Sequence, residues 1–170
     1  IKSIKRQIFL IQNLVNEFST YARLPKANIT KLNLSEICLV YIEEYKRNYD
    51  KIEIIHNIEE NLFVNFDHSY LDIIFNNLFK NSIEALISTN NPTIEISLKK
   101  IDKKLILTFF DNGPGYDGNI DDLIKPYFST KNSSGLGLSL INKIITDNSY
   151  KMNITTNRYS GFKIEIIFHD

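Results

Sequence analysis

Two glycine pairs inside one stretch, residues 111–140 (DNGPGYDGNIDDLIKPYFSTKNSSGLGLSL), limit what this chain can fold around. Gly113 and Gly115 follow Asp111, and Gly135 and Gly137 stand just before the helical pattern LSLINKIITD. Glycines at alternate positions let backbone approach a ligand closely, because no Cβ stands in the way. The second pair opens directly into a helix, whose first N–H groups are a ready site for phosphate oxygens. Either pair alone reads equally well as an ordinary loop turn. The order of the parts around them is what points further.

The chain has 170 residues, enough for one domain with a sizeable core plus an appendage. Twenty basic residues balance 20 acidic ones, so no bulk field argues for nucleic acid or anionic lipid. The single cysteine, Cys38, falls in an apolar helical pattern and reads as a buried structural thiol, in keeping with a reducing cytoplasm. No apolar run approaches the roughly 20 residues of a membrane helix. The sequence lacks an initiator methionine and opens in mid-helix, so the expectation is a soluble fragment of a longer parent.

Residues 1 to about 22 are helical by pattern. Ile4, Ile8, Ile11, Val15 and Phe18 alternate four- and three-residue steps, a coiled-coil-like seam, and Leu10, Leu14 and Tyr21 add a second apolar edge. An amphipathic helix packed on its own domain is the plain alternative. Pro25 and the polar residues 26–31 end it and read as a linker. A helix follows over residues 34–49, capped by Asn33 or Ser35. Strands are expected at 51–58 and 62–66, and a helix capped by Asp67 runs to about 87, burying Leu71, Ile74, Phe75, Leu78, Ile83 and Leu86. Strands at 93–100 and 104–110 form a hairpin. A helix at 137–147 and a closing hairpin of 150–156 with 161–168 complete the chain. Helices segregated from an antiparallel-leaning sheet predict an α+β fold, a two-layer α/β sandwich.

Four segments, in order, carry a family resemblance. Asn77-Leu78-Phe79-Lys80-Asn81-Ser82-Ile83-Glu84-Ala85 resembles the N box of the sensor histidine kinase ATP-binding domain, and Asp111-Asn112-Gly113-Pro114-Gly115 resembles its G1 box. Residues 125–131 (KPYFSTK) are similar to its F box, and Gly135-Leu136-Gly137-Leu138 to its G2 box. The resemblance covers residues 32–168. Residues 15–25 (VNEFSTYARLP) further resemble the end of the dimerisation hairpin in NtrY-type nitrogen-regulation kinases. It implies the ATP-binding Bergerat fold, with a mixed sheet packed on helices. The division it implies is a hairpin helix over 1–24, a linker over 25–31 and a catalytic domain over 32–170.

By the same resemblance, ATP and Mg²⁺ are the cofactors. Asn81 would offer its amide oxygen to Mg²⁺, a cation that takes hard oxygen ligands. Asn77, four residues away on the same helix face, would lie nearer the phosphate tail. A surface asparagine pair is the alternative in so Asn-rich a sequence. Hydrolytic relatives place a carboxylate where Asn77 stands; an amide cannot act as that base, which favours phosphoryl transfer to a protein side chain over hydrolysis. Asp111, at a strand end, suits the exocyclic amine of adenine, where an Asp-Asn-Gly turn is the plainer reading. Gly113, Gly115, Gly135, Leu136, Gly137 and Leu138 would shape the nucleotide site. Ser129, Thr130 and Lys131 would supply donors to the phosphates, with Lys131 offsetting charge during transfer. Tyr127 and Phe128 are expected to pack the base of a short lid.

Some positions depart from the pattern. Glu84 replaces a commoner basic residue, either as a partner to Mg²⁺-bound water or as a solvated surface side chain. Lys80 is expected to point elsewhere on its helix. Ser133-Ser134 replaces the usual Gly-Thr before the G2 pair. None of the three histidines, His56, His68 and His169, has the His-Glu context of a phosphoacceptor, so that residue is expected upstream. The expected function is therefore the catalytic domain of a two-component sensor kinase. Its partners would be ATP, a second copy through the N-terminal helix and a response regulator, but not nucleic acid. The domain would be cytoplasmic, its parent anchored in the bacterial inner membrane. A degenerate, non-catalytic module acting in assembly is the alternative.

Overall fold

The structure, a computed structural model, describes residues 4, 8, 11, 12, 15, 18, 19, 21–129, 134–157 and 161–169. From residue 30 on, seven strands and four helices are described, in the order β1 (Thr30–Asn33), α1 (Leu34–Asn48), β2 (Glu53–Ile58), β3 (Phe63–Phe66), α2 (His68–Leu86), β4 (Thr93–Ile101), β5 (Lys104–Asp111), α3 (Ile120–Leu123), α4 (Gly137–Asp147), β6 (Lys151–Thr156) and β7 (Phe162–His169). Five strands form one sheet in the order β2-β4-β5-β7-β6, while β1 and β3 make a separate antiparallel pair. Only β2 and β4 run parallel, joined through β3 and α2; the remaining pairings are antiparallel, so the sheet is mixed.

One face of this sheet builds the core. Successive strand residues point to opposite faces, and the buried set on β4 (Ile94, Ile96, Leu98) faces that of β5 (Leu105, Leu107, Phe109) and β7 (Ile164, Ile166, Phe168). Helix α2 lays Tyr70, Leu71, Ile74, Phe75, Leu78 and Phe79 on this layer and also packs on α4. Phe79 links the layers, stacked on Tyr45 of α1 at 3.9 Å and edge-on to Phe109 of β5 at 4.9 Å. Such aromatic pairs add directional preference to simple area burial. Cys38 is fully buried, and burial pushes its thiol up to about 12.

Three helices begin on a capping side chain. Asn33 accepts from Glu36 N–H, Asp67 from Ser69 N–H and Asn119 from Asp121 N–H, each satisfying a donor that has no partner within its helix. Asp67 does most: Oδ1 also accepts from the Ser69 hydroxyl at 2.6 Å, and Oδ2 accepts from Asn28 N–H.

The segment expected as a linker differs from that expectation at its far end. Thr30 and Lys31 belong to β1 and pair with Phe66 and Asn65 of β3. Pro25 accepts a hydrogen bond from the Tyr70 hydroxyl at 2.7 Å, so residues 25–31 lie against the start of α2. The pairing partner sits more than 30 residues away, which is why no local pattern announced a strand. The expected N-terminal helix falls largely outside the described residues. Those described in it are helical, and Ile4, Ile8, Ile11, Val15 and Phe18 among them are 50–61% exposed.

Candidate nucleotide-binding site

A cavity of about 320 Å³ lies between α2, the end of β5 and the start of α4. Its residues come from local rules already visible. Alternation along β5 carries the core face through Leu105, Leu107 and Phe109 to Asp111, which is therefore buried. In register, Asp111 sits between Ile94 and Phe162. A carboxylate buried in such surroundings is costly unless hydrogen-bonded. It is: Oδ2 accepts from the Ser82 hydroxyl at 2.7 Å and Oδ1 from Gly113 N–H at 3.0 Å.

Gly113 and Gly137 permit two close approaches. A Cβ on Gly113 would fall 2.7 Å from Asp111 Oδ1, and one on Gly137 would fall 2.8 Å from Asn77 Oδ1. Asn77 donates through Nδ2 to the Ile73 carbonyl at 2.7 Å, which turns its oxygen toward Gly137. The Nδ2 of Asn81 lies 3.6 Å from the same point. Gly113 also faces Ala85, one turn beyond Asn81. Two turns of α2, roughly 12 Å, thus separate the Gly137 end of the cavity from the Asp111 end.

The two ends differ in charge. Asp111 makes one end an acceptor. At the other, α4 starts with Leu136 as its N-cap, and no side chain among the described residues caps it. Its first backbone donors and the positive end of its dipole face the cavity through Gly137 and Leu138, an arrangement suited to an anion. Lys80 and Glu84 also line the cavity, so Lys80 does not point elsewhere as the sequence suggested. It is an exposed residue at the edge of the cavity.

The sequence-predicted residues Asn77, Asn81, Asp111, Gly115, Gly135, Gly137 and Leu138 meet in this one cavity, with Ser129 beside them. Gly113 abuts Asp111, while Leu136 is buried beneath and does not line the space. Thr130 and Lys131 lie outside the described residues. Phe128 packs edge-on to Tyr116 at 6.1 Å. Tyr127 does not pack there; it is 61% exposed, on a left-handed turn with φ of 65°.

Ala85 and Pro114, which stood inside the N-box and G1-box resemblances without a role of their own, also line it, and Tyr116, Leu123 and Phe162 carried no sequence signal. Neither did Gly161, whose Cβ would strike the Asp111 carbonyl at 2.2 Å. Its φ of +82° and the loop context of a glycine after Tyr-Ser were the available hint.

No group of three or more His, Cys, Asp or Glu able to hold a metal occurs among the described residues. The cavity is lined instead by Asn77, Asn81 and Glu84, side chains that each carry an oxygen donor. That donor set fits Mg²⁺, which keeps several waters and takes few protein ligands when phosphates supply the rest.

Comparison with known proteins agrees. Residues 66–170 match the family described as histidine kinase-, DNA gyrase B-, and HSP90-like ATPase. A putative sensor histidine kinase NtrY-like of Rickettsia bellii (strain RML369-C) is 26% identical over 174 residues, covering 99% of this chain and 28% of that relative's length. The catalytic domain of histidine kinase ThkA superposes with a TM-score of 0.74 at 26% identity, covering 84% of this chain and 97% of that one. ThkA in complex with the response regulator TrrA gives 0.81 at 24% identity, covering 99% of this chain and 50% of that one. With the fold, the cavity and the family match in agreement, this chain belongs to the histidine kinase-, DNA gyrase B-, and HSP90-like ATPase family.

Proposed function

We propose that this chain is the nucleotide-binding catalytic part of a two-component sensor kinase, moving the γ-phosphoryl of ATP to a histidine supplied from outside residues 1–170. The observation that carries the reading is the cavity's polarity: a fixed carboxylate at one end and, at the other, a helix N-terminus that no described side chain caps. Adenine fits the first and a triphosphate the second.

Each residue then has a physical task. Asp111 accepts from the exocyclic amine, and the backbone around Gly113 and Gly115 lets the base approach. The backbone from Gly135 to Leu138 donates to phosphate oxygens, aided by Thr130 and Lys131. Asn81 supplies an oxygen to Mg²⁺, which when bound neutralises charge on the phosphates. Asn77 orients the terminal phosphate. Being an amide, it abstracts no proton from water, which supports transfer over hydrolysis.

In this reading residues 1–24 form half of a dimerisation hairpin, 25–31 connect it, and 32–170 are the catalytic domain. The exposed Ile4, Ile8, Ile11, Val15 and Phe18 support self-association in a parent protein. A response regulator is the next acceptor, supported by the ThkA–TrrA complex. The NtrY-like relatives support a membrane-anchored parent with this part on the cytoplasmic side. No described helix here is long and apolar enough to cross a membrane. His56 lies in β2, His68 opens α2 and His169 ends β7, none beside the cavity, which supports an external acceptor.

Titration calorimetry with Mg·ATP tests the reading. The unsubstituted chain should bind saturably, and Asp111→Asn should lose at least about a hundredfold in affinity, because an amide has one acceptor oxygen where the carboxylate serves Ser82, Gly113 N–H and the adenine amine with two. A folded chain that binds no Mg·ATP would point to the non-catalytic, assembly-only alternative.

A further inference from the structure

We infer that Ser82 sets the purine selectivity of this cavity by fixing the carboxylate of Asp111; the inference rests on the nucleotide reading above. Ser82 follows Asn81 directly on α2, about 100° around the helix, so one residue serves the cavity and the next turns toward the sheet. Both Ser82 and Asp111 are 3% exposed. The Ser82 hydroxyl donates to Oδ2 at 2.7 Å, and Gly113 N–H donates to Oδ1 at 3.0 Å. Apolar Ile94 and Phe162 flank the aspartate in the sheet, and Gly161 closes against its carbonyl.

Both carboxylate oxygens are thus held by donors on different elements, one on a helix and one on the loop after β5. An ionised carboxylate has about four acceptor sites and no donor, so it still accepts toward the cavity and donates nothing. A 6-amino purine satisfies it. A 6-oxo purine brings a second acceptor against it. Rejection of the 6-oxo form depends on the carboxylate being unable to turn away or admit water. The Ser82 hydroxyl supplies that constraint on Oδ2. Without it, a buried oxygen loses a donor, and rotation or hydration relieves the loss while relaxing discrimination. Ser82 is a positioning residue, acting through Asp111.

The test compares Mg·ATP with Mg·ITP, which differ at the purine 6-position in carrying an amine or an oxo group. Affinities for both are measured on the unsubstituted chain, Ser82→Ala and Ser82→Cys, with a thermal unfolding midpoint for each. The ATP-to-ITP affinity ratio should fall by about tenfold or more in Ser82→Ala. Ser82→Cys, whose somewhat bulkier thiol is a weak donor, should lie between. An unchanged ratio, or equal weakening of both nucleotides as in a packing defect, overturns the role of Ser82 alone. Failure of the unsubstituted chain to bind Mg·ATP overturns the nucleotide reading as well.

Discussion

Helices α2 and α4 pack side by side and both begin at loops, yet their first turns are finished in opposite ways. At α2, Asp67 gathers Ser69 N–H, the Ser69 hydroxyl and Asn28 N–H, so the donors are satisfied within the protein. At α4, the N-cap is Leu136 and no side chain among the described residues caps the helix. The first is a structural joint, tying the stretch before β1 to the start of the helix that carries Asn77 and Asn81. The second leaves backbone donors and dipole for something else to satisfy. Stability is invested at one terminus and binding capacity is kept open at the other.

Substitutions should separate the two. Gly137→Ala, at the open terminus, places a Cβ 2.8 Å from the anchored Asn77 amide and displaces it. Nucleotide affinity should fall by about a hundredfold while the unfolding midpoint stays nearly constant, since alanine is a good helix former. Calorimetry and thermal melting on the same sample check both halves. A large drop in midpoint would mean that the α4 start is as structural as that of α2.

Asp67→Ala, at the closed terminus, should do the converse, costing about 2–3 kcal/mol of stability by denaturant unfolding. Burial raises the Asp67 carboxyl pKa, but hydrogen bonds from Ser69, Asn28 and Tyr70 outweigh it and hold the group below its usual 3.8. A depressed folded value means the contribution is complete above 3.8 and lost as pH falls through the lower folded value. The gap between the unsubstituted chain and the variant should therefore close in acid. The smallest effect belongs to Asn33→Ala at α1, whose capping bond is long at 3.4 Å and exposed. It should cost about 0.5 kcal/mol, measured the same way.

What could be read in advance follows the same division. Asp111 was legible as a strand-end acceptor because strict alternation on β5 extends the core face to it. Asp67 and Asn33 were legible as caps because capping is a local event. Strand β1 was not, since Thr30–Asn33 becomes a strand only by pairing with residues beyond α1 and β2. Ser82 and Gly161 were silent for a similar reason: each acts on Asp111, from 29 residues before it and from 50 residues after it. Lys80 was misplaced because helical spacing locates a Cα and says little about where a long flexible stem delivers its charge. Tyr127 was expected to pack because it is aromatic, and a positive φ turns that segment outward instead.

Strand β7 is the last of the described elements in sequence and yet lies inside the sheet, hydrogen-bonded to β5 on one side and β6 on the other. During synthesis, β5 must therefore wait with an open edge until residues 161–169 have been made. The partner Phe162 and the closing Gly161 reach Asp111 at the same late step. Such non-local closure slows folding, and an open edge is a template for pairing with another chain. A ribosome-bound chain halted before β7 would lack the wall of its own nucleotide cavity, so ligand cannot rescue the stalled intermediate. Chaperones, not ATP bound at this site, would have to protect it.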